Sequence, residues 1–544
     1  MPYYQDLREY LGALERAGKL RVIGEEINKD TELHPLVRWQ FRGLEEAQWD
    51  GWLFERLTDL KGRKYDAKVA TGVMGANREV YALGLQCRPG EIHQRWVEAY
   101  RKPIEPYLVS QREAPVREVI HKGSSILEHG GLDEFPIPMA TNGWEALPRL
   151  TAVSWHTKDP ETGVVNVGTY NGLMTGQLRT SCRCPTNHLS IHWRKAKQAG
   201  KPLPAAAVIG AVPAVSMVSS AKIPYGMSEH AIAGGLMREP LPVVKCETID
   251  LEVPATAEIV LEGELATDWL EPDGASGEHT GYTIVGGEVY AFHIKCITHR
   301  KTPIWHDYTS QMPPSESSTL RGIAAEGSTL NFLQRQCGIP QVKSVAFHHC
   351  AGAYRICVVQ LQDIAGSQTH PSIVWQTLLA CLARSPDYPK VVIAVDEDID
   401  PTNFESVFWA VSFRYQPHRD TRIIQGRGGT LDQSASPYNM EELHEDDHTR
   451  YPRSLTGPEG ASAILMDATR KWPYSPVSLP KREYMEHARE LWERLGLPKL
   501  TPRVPWHGQS LGMWPEEFAI QAELAEQGDF EAVRQRIISK GRHV

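Results

Sequence analysis

The chain has 544 residues, with 58 basic and 67 acidic side chains and a formal net charge of −9. That length is too great for one core and implies two or three domains, with 41 % hydrophobic and 23 % charged residues, as in an ordinary soluble protein. The acidic balance, with no Lys/Arg-rich run, argues against a nucleic-acid partner, and the lack of an apolar run of about 18 residues argues against a membrane span.

Residues 4–20 place Leu7, Leu11 and Leu14 on one helical face, with acids near its start and Lys19 near its end. The segment reads as a charged amphipathic helix and not as a signal sequence. Lys68–Leu85 reads as mixed strand and loop. Arg95–Arg101 reads as a helix ended by Pro103 and Pro106. The first ~105 residues are therefore expected to form an α/β unit.

From about Val116, short β-prone runs alternate with turn residues: Thr151–Trp155, Val164–Gly168, Ala206–Ile209, Leu241–Val244, Ala257–Leu261 and Val289–Ile294. Such regular short strands suggest a barrel or sandwich. Glu229–Met237 is an expected helical insert, with Ser228 as its cap. An apolar-periodic helix over Ser317–Gln336 leads to a strand–helix–strand unit at Ile356–Leu361, Ser372–Ala383 and Val391–Val395, which implies a parallel pair with a crossover. Gln425–Gly429 reads as a loop. After Trp472 the chain is punctuated by proline, with helices near Lys481–Leu495 and Pro515–Gln527; it reads as a tail wrapping the body or a neighbouring subunit.

Nine cysteines lie scattered without regular spacing, which suggests a reducing, cytoplasmic setting. Cys182 and Cys184 lack a second pair nearby and read as ordinary thiols.

The segment Asp273-Gly-Ala-Ser-Gly-Glu278 sets two carboxylates five residues apart in a glycine-rich stretch. A loop bent at Gly274 and Gly277 would aim both into one cavity, where mutual repulsion should leave one protonated near neutral pH, as a proton donor to carbon requires. The spacing by itself also suits a surface turn with two solvated acids. Asn166, at a strand end, offers an amide oxygen but alone reads as a turn residue. His188 and His192 share a helical face and alone read as structural. Glu229 alone reads as a charge at a helix N-terminus. Together, one Asn, one His and one Glu make an O/N ligand set suited to Mn²⁺, Mg²⁺ or Fe²⁺, able to clamp a phosphate. Lys390 could add a point charge to that phosphate or be a solvated strand-edge lysine. No dinucleotide fingerprint, Walker A sequence or nucleophile elbow is present.

Several ordered motifs resemble those of the UbiD family of reversible decarboxylases: Asn166–Tyr170, Ser228–Gly234, Leu251–Gly263, Gly277–Tyr282 and Asp396–Asp400, the likeness running on to Met466–Trp472. The resemblance implies prenylated FMN, a divalent metal (Mn, Fe or Mg) and K⁺. It implies a multidomain α+β and α/β fold: an N-terminal α/β domain over 1–112, a central flavin-reductase-like split β-barrel over 113–312, a connecting helix over 313–336, a C-terminal α/β oligomerisation domain over 337–475, and a tail over 476–544. Carried over residue by residue, the metal ligands match Asn166, His188 and Glu229, and the K⁺ loop falls at Ser219–Ala221. Thr169 lies in the cofactor motif, and Lys390 matches a phosphate-contacting lysine. The family's Glu–Arg–Glu trio matches Asp273, Asn171 and Glu278, so this chain carries an amide where the family has a guanidinium. Glu278 is the expected proton donor.

The resemblance thus implies non-oxidative, reversible decarboxylation of an aromatic or α,β-unsaturated carboxylic acid by a cytoplasmic homo-oligomer, a dimer or hexamer, supplied by a flavin prenyltransferase. The missing arginine points toward a CoA thioester such as phthaloyl-CoA. The alternatives are a carboxylase subunit of a multi-subunit complex and a non-catalytic flavin-binding protein.

Overall fold

The computed structural model describes residues 2–184, 187–284, 287–364, 372–385, 389–427, 432, 434 and 461–540. The chain opens on the helix Leu7–Arg16, started by Asp6, whose carboxylate accepts the Glu9 N–H. Leu7, Tyr10, Leu11 and Leu14 form its buried face. It lies beside a sheet in which Leu20–Asn28 runs parallel to Gly51–Thr58, and Gly51–Thr58 antiparallel to Lys68–Thr71. The next strand, Ile304–Asp307, runs parallel to Lys68–Thr71 and arrives from far along the chain. The expectation for Lys68–Leu85 needs correction. After the strand, Arg78–Gly84 is a helix, because the Asn77 side chain accepts the Val80 N–H and caps it.

The central sheet has nine strands. Eight follow the order Arg149–Leu150, Gly172–Gly176, Arg179–Cys182, Glu288–His299, Ile259–Pro272, Leu203–Ile209, Val153–Lys158 and Val165–Thr169. Val119–Lys122 adds to Glu288–His299. All neighbours are antiparallel. The two long strands break register between Glu262 and Gly263, where a Cβ on Gly263 would stand 1.9 Å from the His293 carbonyl oxygen. Only glycine allows so close an approach, and such breaks curl a sheet.

The helix Glu229–Met237 is capped by Ser228 as expected and is buried throughout. Gly234 and Gly235 let it press on the backbone at Ile104 and Ala99. One apolar cluster runs from Tyr3 to Ala324, so the N-terminal sheet and the central sheet share a core.

The connecting helix Glu316–Asn331 continues as a wider turn over Phe332–Gln336. Its wholly buried Glu316 accepts main-chain N–H groups from Gly72, Met74 and Thr309, which ties it to the ends of two adjacent strands of the N-terminal sheet. Beyond it lies a five-stranded sheet in the order Val342–Phe347, Ile356–Leu361, Val391–Asp396, Ala461–Asp467, Thr421–Arg427. Ile356–Leu361 and Val391–Asp396 are parallel, joined through the helix Ser372–Ala383. Gln425–Arg427 ends the strand Thr421–Arg427 instead of forming a loop, since pairing with Ala461–Asp467 carries it to Arg427. Gly428 and Gly429 lie outside the described residues.

The tail carries Arg482–Arg494, Glu516–Glu526 and a third helix, Phe530–Ile538, that sequence periodicity did not reveal; none has a buried residue. No described helix is long and apolar enough to cross a membrane.

Candidate active site

Three local structures end at one cavity of about 360 Å³. The strand Val165–Thr169 brings Asn166 and Thr169 to it. The helices His188–Gln198 and Glu229–Met237 each begin at it, so His188 and Glu229 are their first residues. Two helix N-termini aimed at one space favour an anion there. Ser219 and Ala221 line the same wall, and Thr169 Oγ1 lies 2.8 Å from Ser219 Oγ.

The Nδ2 of Asn166 and the Oε2 of Glu229 are buried without a hydrogen-bond partner. Burial pushes the Glu229 carboxyl up to about 7. A buried carboxylate without a counter-charge is costly, and a bound cation would remove that cost. Burial holds the His188 imidazole below its ordinary value, which keeps it neutral and able to ligate. The donor set therefore fits a divalent metal. His192 shares the face of His188 yet is turned inward, with its Nδ1 2.9 Å from Thr157 Oγ1, a structural role.

The two acids reach the site by a different route from the one expected. Asp273 follows the strand Ile259–Pro272. Glu278 follows Ser276–Gly277, which pairs with Thr283–Ile284 around a turn at Gly281, whose φ is +97°. Between the acids lies Arg183. Its Nε donates to Asp273, and its Nη1 donates to Ser276 Oγ at 3.0 Å and to Glu278 Oε1 at 2.8 Å. Arg149 adds a contact to Asp273 at 3.3 Å.

The expectation that repulsion leaves one acid protonated is therefore overturned. Burial raises the Glu278 carboxyl, but His279, Arg183 and Arg321 outweigh it and hold it down at about 2. Burial, with Arg321, pushes the His279 ring down to about 4, against the pull of Glu278 beside it.

Arg183 was absent from the residues singled out by sequence, yet a signal for it exists. Gly172–Gly176 and Arg179–Cys182 form a hairpin in which Met174 faces Thr180. Three residues further along each strand, Asn171 faces Arg183, and the Arg183 N–H donates to the Asn171 carbonyl at 2.9 Å. Both residues line the cavity, as does Glu278. Asp273 stands behind Arg183. Lys390 lies away from this cavity, paired with Asp432 at 3.1 Å and Ser434 at 2.7 Å. Arg321, from the connecting helix, has its Nη1 buried without a hydrogen-bond partner. It lines both this cavity and an adjoining one of about 540 Å³.

Comparison with known proteins places these features in context. Residues 108–313 match the model of the UbiD 3-octaprenyl-4-hydroxybenzoate carboxy-lyase Rift-related domain, and residues 318–449 match that of the corresponding C-terminal domain. An uncharacterized protein of Archaeoglobus fulgidus is 30% identical over 495 residues, 86% of this chain and 92% of that one. Among solved structures, an evolved dimeric form of the UbiD-class enzyme HmfF from Pelotomaculum thermopropionicum, in complex with prFMN, is 29% identical. It covers 90% of this chain and 100% of its own, with a TM-score of 0.74. The closed form of Sedimentibacter hydroxybenzoicus vanillic acid decarboxylase is 25% identical, with 91% and 100% covered and a TM-score of 0.74.

Proposed function

The chain belongs to the UbiD family of carboxy-lyases, and from that membership we propose that it decarboxylates an aromatic or α,β-unsaturated free carboxylic acid with prenylated FMN bound in the cavity of Asn166, His188 and Glu229. The observation that carries this reading is Arg183, which bridges Asp273 and Glu278 and lines the same cavity as Asn166 and Glu229, each of which has one buried polar atom without a hydrogen-bond partner.

Asn166, His188 and Glu229 would hold a divalent ion, Mn²⁺, Fe²⁺ or Mg²⁺, at the cofactor phosphate, with K⁺ at Ser219–Ala221. Arg321 would add a fixed positive charge near the same anions. When bound, prenylated FMN supplies an electron sink for the pair left on the substrate carbon as CO₂ departs.

The protein's own groups position the substrate and move the proton. Arg183 orients the substrate carboxylate, in competition with Glu278. A second carboxylate entering this cavity raises the Glu278 carboxyl by like-charge repulsion, so Glu278 takes up a proton as substrate binds. It then delivers that proton to the carbon that has lost CO₂. Asp273, behind Arg183, keeps the guanidinium in place when Glu278 is neutral.

The case for a CoA thioester rests on the missing arginine at residue 171. Arg183 restores a guanidinium, which favours the free acid. The exposed Phe408, Trp409 and Phe413 on the helix Phe404–Arg414 support oligomerisation through the C-terminal region.

The test is co-expression with a flavin prenyltransferase, anaerobic purification, and the mass and absorbance of the released cofactor, followed by turnover of aromatic acids and their thioesters. A prenylated flavin with acid-selective CO₂ release is expected. Flavin-free active protein would overturn the reading.

A further inference from the structure

A second group of side chains able to ligate lies where Val119–Lys122 pairs with Glu288–His299, sharing no residue with the cavity. His121 and His299 come from adjacent antiparallel strands. His121 faces Ile297, so His299, two residues on, projects from the same face. The chain then doubles back through Gly130 and Gly131, with φ of +91° and +60°. Those left-handed residues bring Glu134 over the two rings.

The separations are informative. His121 Nε2 lies 3.2 Å from His299 Nε2, and the two nitrogens lie 3.4 Å from different oxygens of Glu134, His121 from Oε2 and His299 from Oε1. A charge-assisted His–carboxylate hydrogen bond would be about 2.7–2.9 Å. The edge of a tetrahedron around an ion with bonds of about 2.0–2.1 Å is about 3.3–3.4 Å. All three separations are close to the tetrahedral edge and none reaches the short-bond range. Glu134 Oε2 is buried with no hydrogen-bond partner, although two imidazoles surround the carboxylate.

The tautomer is set as a ligand's should be. His299 Nδ1 donates to the Arg300 carbonyl at 2.8 Å, which leaves the Nε2 lone pair facing inward. Phe135 packs edge-on against the His299 ring at 5.6 Å and shields one side. His129, stacked on His121 at 3.9 Å, is exposed, and its ligand atom lies within 4.8 Å of those of His121 and Glu134. His121, His129 and Glu134 thus form one group of three, which His299 joins through His121 and Glu134.

We propose that His121, His299, Glu134 and His129 bind a zinc-class divalent ion, separate from the cofactor's metal. Imidazole nitrogens with one carboxylate suit Zn²⁺, and a closed four-ligand set marks a structural site. The ion clasps the 123–134 segment to the sheet edge.

Untagged, flavin-free protein stripped with a chelator and titrated with Co²⁺ tests this. About one ion per chain is expected to give the intense visible absorption of four-coordinate cobalt, displaced by Zn²⁺ and accompanied by a higher melting temperature. Glu134→Gln, which keeps the side chain's shape, and His299→Ala should abolish both responses. Glu229→Gln, in the other site, should leave them. Absence of the four-coordinate band in the parent protein would overturn the proposal, as would its persistence in Glu134→Gln. A band lost only in Glu229→Gln would overturn it as well.

Discussion

The Arg183 main-chain N–H donates to the Asn171 carbonyl oxygen at 2.9 Å, across the mouth of a hairpin. A guanidinium thus stands opposite Asn171, on the facing strand, and reaches both Asp273 and Glu278. Residue 171 is an amide, and Arg183 supplies a guanidinium between the two acids.

Removing that charge should be severe. Arg183→Ala leaves Asp273 with Arg149 alone and removes the guanidinium hydrogen bond of Glu278, and breaking such a buried pair costs about 3–5 kcal/mol. A fall in kcat/KM of roughly 10²–10³ is expected, comparable to losing a positioned charge in other active sites. Because Asn171 faces Arg183, the double variant Arg183→Ala with Asn171→Arg should recover part of the loss. Steady-state kinetics of the two variants check this; a double variant no better than the single one would show that strand position matters as much as charge.

Glu278→Gln should abolish turnover and the exchange of the product's ring or vinyl proton in D₂O, followed by NMR. Since Glu278 is held at about 2 in the free protein, it is ionised before substrate arrives. Substrate binding should therefore take up a proton. Calorimetry in buffers of different ionisation enthalpy measures that uptake, which Glu278→Gln should lose.

Acid should weaken the fold through the same residue. The Glu278 carboxyl sits below its ordinary 4.5 in the folded chain, so its contribution is complete above that value. It is lost as pH falls from about 4.5 toward about 2, because the unfolded chain then binds the proton first. Urea midpoints at pH 6, 4 and 3 should fall more steeply in the parent than in Glu278→Gln.

Metal removal should separate cofactor binding from folding. Glu229→Gln keeps the helix but removes the one carboxylate among the three proposed ligands, so divalent-ion affinity at this site should fall at least about 100-fold. Metal analysis and flavin content should drop together, while far-UV circular dichroism stays as in the parent. Full flavin content without metal would detach Glu229 from the cofactor.

Much of this protein is legible in its residues. The cap Ser228, the Ala231–Met237 apolar run behind it and the periodic helix from 317 are local patterns, and local patterns follow from backbone sterics and burial. The ordered motifs likewise identify the family and bring Asn166, His188 and Glu229 forward as a group. The strand Ile304–Asp307 shows the other side, since nothing local says that it joins a sheet begun at residue 20.

Charge at the active site was decided only by the tertiary structure. Spacing shows that Asp273 and Glu278 are near each other, but their protonation depends on what lies between them. A residue 90 positions before Asp273 lies there, brought by hairpin register and sheet order. Electrostatic energy in a dry cavity varies steeply over a few ångströms. Arg183 therefore joins the neighbouring His279 in reversing the direction of the Glu278 shift, and the spacing of Asp273 and Glu278 could not reveal it.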